Sequence, residues 1–104
     1  MTLLSSHPLD IDHQWRARAA AVIPHGMYGH QSARALPAGY PQFLPRGEGG
    51  RIWDVDGNEY VDLVSSLAAV TMGHGDPEIA EAVGRQAALG VTLSLAHPLE
   101  AEVA

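Results

Sequence analysis

Trp53-Asp54-Val55-Asp56-Gly57-Asn58-Glu59-Tyr60-Val61-Asp62 decides how the rest of this chain is read. β-forming residues stand on both sides of Asp56-Gly57, and Asp-Gly between such runs is a strong hairpin signal, because glycine accepts the positive φ of a type I′ turn. The stretch predicts strands over 51–55 and 58–63 joined at Asp56-Gly57. Its alternating acids also suggest a calcium loop. An EF-hand places glycine at position six and glutamate at position twelve. Counted from Asp54, those places hold Glu59 and Ser65, and the flanks are strands rather than helices. The hairpin is the better reading.

Upstream, Gly47-Glu48-Gly49-Gly50 is glycine-rich but precedes a strand rather than a helix N-terminus. A turn therefore suits it better than a phosphate loop. Between His25 and Gln42 neither the helical nor the strand period occurs, and Gly26, Gly29, Pro37, Gly39 and Pro41 punctuate the stretch. Irregular segments of this length inside a domain are often functional. Met27, Tyr28, Leu36, Tyr40 and Phe43 give this one apolar anchors that a linker lacks. Ile11, Trp15, Ala19 and Val22 form one apolar face, which predicts a helix from a cap at Asp10 or Asp12 to about Val22, stopped by Pro24. Residues 1–9 read as a loose polar tail.

Downstream, Leu67 to Met72 is an apolar run, expected as a third strand or a buried extended segment. His74, between two glycines, is expected to orient the turn by hydrogen bonding. Asp76-Pro77 starts a helix, with an N-cap acceptor and proline at N1. Its buried face would be Ile79, Ala82, Val83 and Ala87, and Gly90 would end it. An extended stretch from Val91 to Leu95 precedes a further helix opened by Pro98. About two turns of that helix remain before Ala104, so truncation is the expectation.

Composition removes several classes of function. The 104 residues carry twelve acids against six basic residues, a formal charge of −6, which repels a polyanion. Cysteine is absent, so no disulfide framework and no thiolate metal site can form. The histidines sit in no metal-binding spacing, and no metal is expected. No signal peptide and no apolar run of membrane-spanning length is visible, so a soluble cytoplasmic protein is the default, without nucleic-acid or membrane partners. All six basic residues are arginines and the chain has no lysine. Ser65 and Ser66 occupy no nucleophile elbow, and the residues alone assemble no complete active site.

Taken in order, Ile23-Pro24-His25-Gly26, the Trp53–Asp62 block, Met72-Gly73-His74-Gly75-Asp76-Pro77, Glu81-Ala82-Val83, Gln86 and Pro98-Leu99-Glu100 resemble class III pyridoxal-phosphate (PLP) aminotransferases. The likeness extends to members of the glutamate-1-semialdehyde 2,1-aminomutase type. There a "WDVDGNxYxD" hairpin leads to "GHxHP", a helix, an extended segment and "P-x-E". The resemblance covers residues 23–104 without a gap.

What it implies is an α/β fold. The chain would be the N-terminal segment of a fold type I PLP-dependent transferase (helix, long loop, β-hairpin or small sheet, helix), ending before the large cofactor domain. Residues 1–24 would be a tail and helix, and residues 25–104 part of the small domain and interface segment. The family implies a homodimer with an amino donor and a carbonyl acceptor as substrates. A lysine holds the cofactor as a Schiff base, and an aspartate pairs with its ring nitrogen. Both lie downstream in the family, so no catalytic residue is expected here and the chain alone should be inactive. Arg34 is the only arginine in the loop after a segment like the family's "IPGG", two positions off the pattern. It is the candidate for holding a substrate carboxylate. The family's substrate-facing "GSWGP" corresponds to Ser65–Ala69. Ser66 is kept, Leu67 replaces tryptophan, and alanines replace Gly-Pro, so Ser66 and Leu67 are candidate substrate contacts. A transaminase and an aminomutase both fit. A short non-catalytic protein that dimerises with or regulates a full-length relative is the alternative of another class.

Overall fold

The computed structural model describes residues 8–28 and 32–104. The expected loose tail falls largely outside these residues, as do Gly29 and His30. The chain forms two compact units, which divide between His74 and Gly75.

In the first unit, helix α1 (Asp10–Val22) is followed by two 3-10 turns, Pro24–Gly26 and Ala33–Ala35. A three-stranded antiparallel sheet in the order β1-β2-β3 comes next, built from Arg46–Glu48, Arg51–Trp53 and Glu59–Val61. Arg46 faces Trp53 across β1 and β2, and Trp53 faces Glu59 across β2 and β3. The Arg46 guanidinium lies over the Trp53 ring, 3.8 Å from its centre, a cation–π contact. The glycine-rich stretch supplies part of β1 and the tight connection into β2, so it is a strand and turn rather than a turn alone.

The Asp-Gly hairpin forms, with a different turn. A type I′ turn needs positive φ at both central residues. Gly57 has φ +86, whereas Asp56 does not enter that region. The Gly57 amide donates to the Asp54 carbonyl at 3.1 Å, and the Asp54 amide donates to the Asn58 carbonyl at 3.0 Å. The loop is therefore three residues long, Val55 to Gly57, with glycine in the left-handed place at its end. The Asp54 side chain sets this length.

Helix α1 matches the expected span, but its cap lies elsewhere. Leu9 occupies the N-cap position and supplies no side-chain acceptor. Asp56, at the hairpin tip, accepts from the Ile11 amide at 2.7 Å and the Asp12 amide at 2.9 Å. A carboxylate at a helix N-terminus satisfies orphan amides and favours the helix dipole. Asn58 Nδ2 donates to the Pro8 carbonyl at 3.0 Å. The hairpin thus docks the helix from 44 residues away.

Burial is thin. Leu9 and Ala19 are the buried apolar residues among those described, and Trp15 meets Phe43 at 6.2 Å between ring centres. Of the expected face of α1, only Ala19 is buried, while Val22 is mostly exposed. Strands of three residues offer too little surface to cover that face. Leu67 to Met72 is neither a strand nor buried. It begins within a short helical turn, α2 (Ser65–Ala68), and Leu67 and Met72 are exposed.

His25 sits at φ +62 and ψ +6, a left-handed conformation. That conformation costs a residue with a Cβ about 1–2 kcal/mol. His25→Gly is expected to stabilise the first unit by about 0.5–1 kcal/mol, after glycine's greater loss of chain entropy is subtracted. Slower exchange of the Gly26 amide, which donates to Ile23, would show it.

The second unit contains α3 (Pro77–Leu89) and α4 (Pro98–Val103). Asp76 Oδ1 accepts from the Ile79 amide at 3.0 Å, and Gly90 ends the helix at φ +105. Both ends match the sequence reading. The expected buried face does not, since Ile79 and Val83 are exposed. Val91 to Leu95 forms no strand, and Ser94 adopts φ +68. His97 caps α4: its Nδ1 accepts from Leu99 at 3.1 Å, and Glu100 accepts from the His97 amide at 2.8 Å. The reciprocal pair is a capping box that the sequence reading missed.

Candidate functional site

Two buried carboxylates organise the first unit. Asp12 is fully buried. Its Oδ1 accepts from the amides of Gln42 and Phe43 at 2.8 and 3.0 Å, and its Oδ2 pairs with Arg16 Nε. Arg16 also donates to the Tyr40 carbonyl. The irregular stretch before β1 is thereby tied to α1.

Asp54 is nearly as buried. Its Oδ1 accepts from the amides of Asp56 and Asn58, and its Oδ2 accepts from Asn58 Nδ2 and from the Tyr60 hydroxyl at 2.8 Å. Burial pushes its carboxyl up. The bonds from Asn58, Tyr60 and the two amides outweigh this and hold it below the ordinary 3.8. Burial and the bond to Asp54 push the Tyr60 phenol up to about 12.

Asp62 and His74 form a third centre. Asp62 Oδ1 accepts from the amides of Val64 and Ser65, both at 2.9 Å, and Oδ2 meets His74 Nε2 at 2.6 Å. The His74 bond, then the Ser65 amide, hold the Asp62 carboxyl below its usual range. The His74 amide and carbonyl pair with Gly49, each at 2.9 Å. A Cβ on Gly47 would lie 2.6 Å from the imidazole, so the ring rests on the bare backbone of β1. The expected orienting role of His74 agrees with this geometry.

Both carboxylates, Asp54 and Asp62, sit below their unfolded values, so the folded chain binds fewer protons than the unfolded chain around pH 4. The stability they contribute is present above that pH and is lost as pH falls through the lowered folded values. The protection of the Asn58 and Ser65 amides from exchange, measured against their intrinsic rates at each pH, should therefore fall on acidification below about pH 4. An Asp54→Asn variant should flatten the dependence at Asn58.

The three candidate contacts fall in two places. Arg34 lies in the second 3-10 turn and is exposed. It lines a concavity of about 440 Å³ with Arg16, His25, Gly26 and Gln42. Gln42 Nε2 donates to the Gly26 carbonyl at 2.7 Å, while its buried Oε1 has no partner among the described residues. Ser66 and Leu67 belong to α2 and do not line that concavity. Ser65, Ser66, Leu67 and Ala68 have φ of +46, +51, +56 and +68, one left-handed turn without a glycine. The sequence reading named Arg34, Ser66 and Leu67 as candidates and named none of the carboxylates Asp12, Asp54 and Asp62 as organising groups. The alternating acids of Asp54-Val55-Asp56 were the available signal.

Among the described residues no helix is long and apolar enough to cross a membrane. The model of the family "Aminotransferase class-III" matches residues 35–103. The chain is similar to an aminopentol aminotransferase of Sphingopyxis macrogoltabida, at 44% identity over 79 residues that make up 76% of this chain and 19% of that protein. It is 39% identical over 87 residues to a glutamate-1-semialdehyde 2,1-aminomutase of Acetivibrio thermocellus, covering 84% of this chain and 20% of that protein. Among solved structures, the FumI protein of Sphingopyxis sp. MTA144, in its PLP internal aldimine form, superposes with a TM-score of 0.76 at 39% identity, over 89% of this chain and 22% of that one. An omega-transaminase from Sphaerobacter thermophilus gives 0.71 at 34% identity, over 92% and 21%. The chain spans about a fifth of the length of the curated relatives it matches. With the family model matched over residues 35–103, relatives at 39–44% identity over three quarters or more of the chain, and superposition on solved transaminases, the chain belongs to the class III aminotransferases.

Proposed function

We propose that these residues are the amino-terminal part of a PLP-dependent aminotransferase. It would move an amino group from an amino acid or amine to a carbonyl compound. The observation that carries this reading is the ordered match through residues 35–103, joined to the fold likeness to solved transaminases. When bound, the cofactor supplies the electron sink for carbanion chemistry and the carrier for the amino group. This chain does not fit the role of its covalent anchor. It has no lysine, and an arginine guanidinium stays protonated and cannot serve. The anchor therefore belongs to sequence outside residues 1–104, and the chain alone is inactive.

The role of this chain is then to shape the substrate entrance. Arg34 offers a bidentate donor to a substrate carboxylate, while Ser66 and Leu67 offer a hydroxyl and an apolar wall. Residues 1–24 act as a tail and helix, and residues 25–104 as part of the small domain and interface. That the full-length protein is a homodimer is supported by the family resemblance alone. Leu67 in place of tryptophan and Ala68-Ala69 in place of Gly-Pro change the shape of the pocket, so a transaminase with a different substrate fits as well as an aminomutase.

Turnover of the full-length protein tests the proposal. Cofactor-loaded enzyme, offered a panel of amines and 2-oxo acids, should form the matching carbonyl product, and the 104-residue chain should form none. A loaded full-length protein that consumes no amine would refute it. Arg34→Ala should raise KM for carboxylate-bearing substrates about tenfold or more and leave amines without a carboxylate unaffected.

A further inference from the structure

We propose that Asp62 and His74 are positioning residues, which hold the left-handed turn Ser65–Ala68 and so set where Ser66 and Leu67 stand. This rests on the reading of those two residues as substrate contacts. The physical problem is strain. A left-handed backbone costs a residue with a Cβ about 1–2 kcal/mol, and here four such residues adopt it in succession. The related "GSWGP" segment has glycine at the places of Ser65 and Ala68, where the conformation is free of that cost. This chain adopts the left-handed path with no glycine in it, so something else must hold it.

The restraint is visible at the start of the turn. One Asp62 oxygen takes the amides of Val64 and Ser65, and the other takes His74 Nε2 at 2.6 Å. His74 is itself fixed to the sheet by its paired bonds to Gly49 and by its ring against Gly47. Position therefore passes from β1 through His74 and Asp62 to the first amides of the turn. The turn then closes on itself, with the Val70 amide donating to the Ser65 carbonyl at 3.1 Å. That bond spans the left-handed residues from end to end, so Val70 reports on the turn independently of any reaction.

The test uses the cofactor-loaded full-length protein. Asp62→Ala and His74→Leu should speed Val70 amide exchange about tenfold or more. They should raise KM for the amino donor about tenfold while kcat changes far less. His74→Gln keeps an amide donor for Asp62 and should stay within about threefold of the parent. Adding Ser65→Gly with Ala68→Gly to Asp62→Ala makes the left-handed path cheap and should recover much of both losses. Unchanged Val70 exchange and KM in His74→Leu would overturn the inference. So would losses that the glycine pair leaves untouched, including a failure of Asp62→Ala to fold that the pair does not mend. A parent enzyme without amino transfer would fail the functional reading instead, because Val70 exchange still reports on the restraint.

Discussion

Replacing Asp12 by alanine is expected to release the segment before the sheet from α1, at a cost of about 3 kcal/mol in local stability. Asp12 is fully buried and serves three donors, the amides of Gln42 and Phe43 and the Arg16 guanidinium. Alanine leaves both amides without an acceptor, and each buried unsatisfied donor costs about 1–3 kcal/mol. Arg16 is partly exposed, so water recovers part of its loss and the total stays below the simple sum. Asp12→Asn keeps an oxygen for the two amides but sets an amide nitrogen, a donor, against Arg16, so it loses the ion pair alone and should cost about half as much. Exchange rates of the Gln42 and Phe43 amides in the full-length protein measure both. Equal exchange in Asp12→Ala and the parent would mean that the carboxylate does not anchor the segment.

Gly47→Ala is the second large effect. The added Cβ would lie 2.6 Å from Cγ and 2.8 Å from Cβ of His74. The ring cannot simply swing away, because its Nε2 is bound to Asp62 and its backbone to Gly49. Overpacking of this kind costs about 1–3 kcal/mol. The cost should appear as faster exchange at Gly49, Ser65 and Val70 together, with the helix amide of His13 unchanged. His13 donates to Leu9 in α1, away from the clash. A loss spread evenly over the first unit would contradict the expected local release.

The local signals in the sequence were good guides, and the long-range ones were not. Asp76-Pro77 and Gly90 bound their helix as read, because caps act within one turn of the residues they serve. The hairpin was legible for the same reason. Its turn type was not, since Asp54 sets the loop length with a side chain that the Asp-Gly rule ignores. The cap of α1 was misplaced because Asp56 reaches it through the fold, and no window around Asp10 contains that contact. Faces expected to be buried at Val22, Ile79 and Val83 are exposed, because periodicity tells which residues share a face but not what covers it. Ser66 and Leu67 were named as candidates through resemblance alone. The strain that distinguishes their turn is a backbone property that ordinary serine, leucine and alanine side chains conceal.

The reading of function rests on where the cofactor's amine resides. Borohydride reduction of the loaded full-length protein, followed by peptide mapping, locates it directly. A single phosphopyridoxyl-lysine outside residues 1–104 is the expected result, with no internal label on this chain once the α-amino group of Met1 has been excluded. A stoichiometric label on an internal residue of this chain would contradict the account.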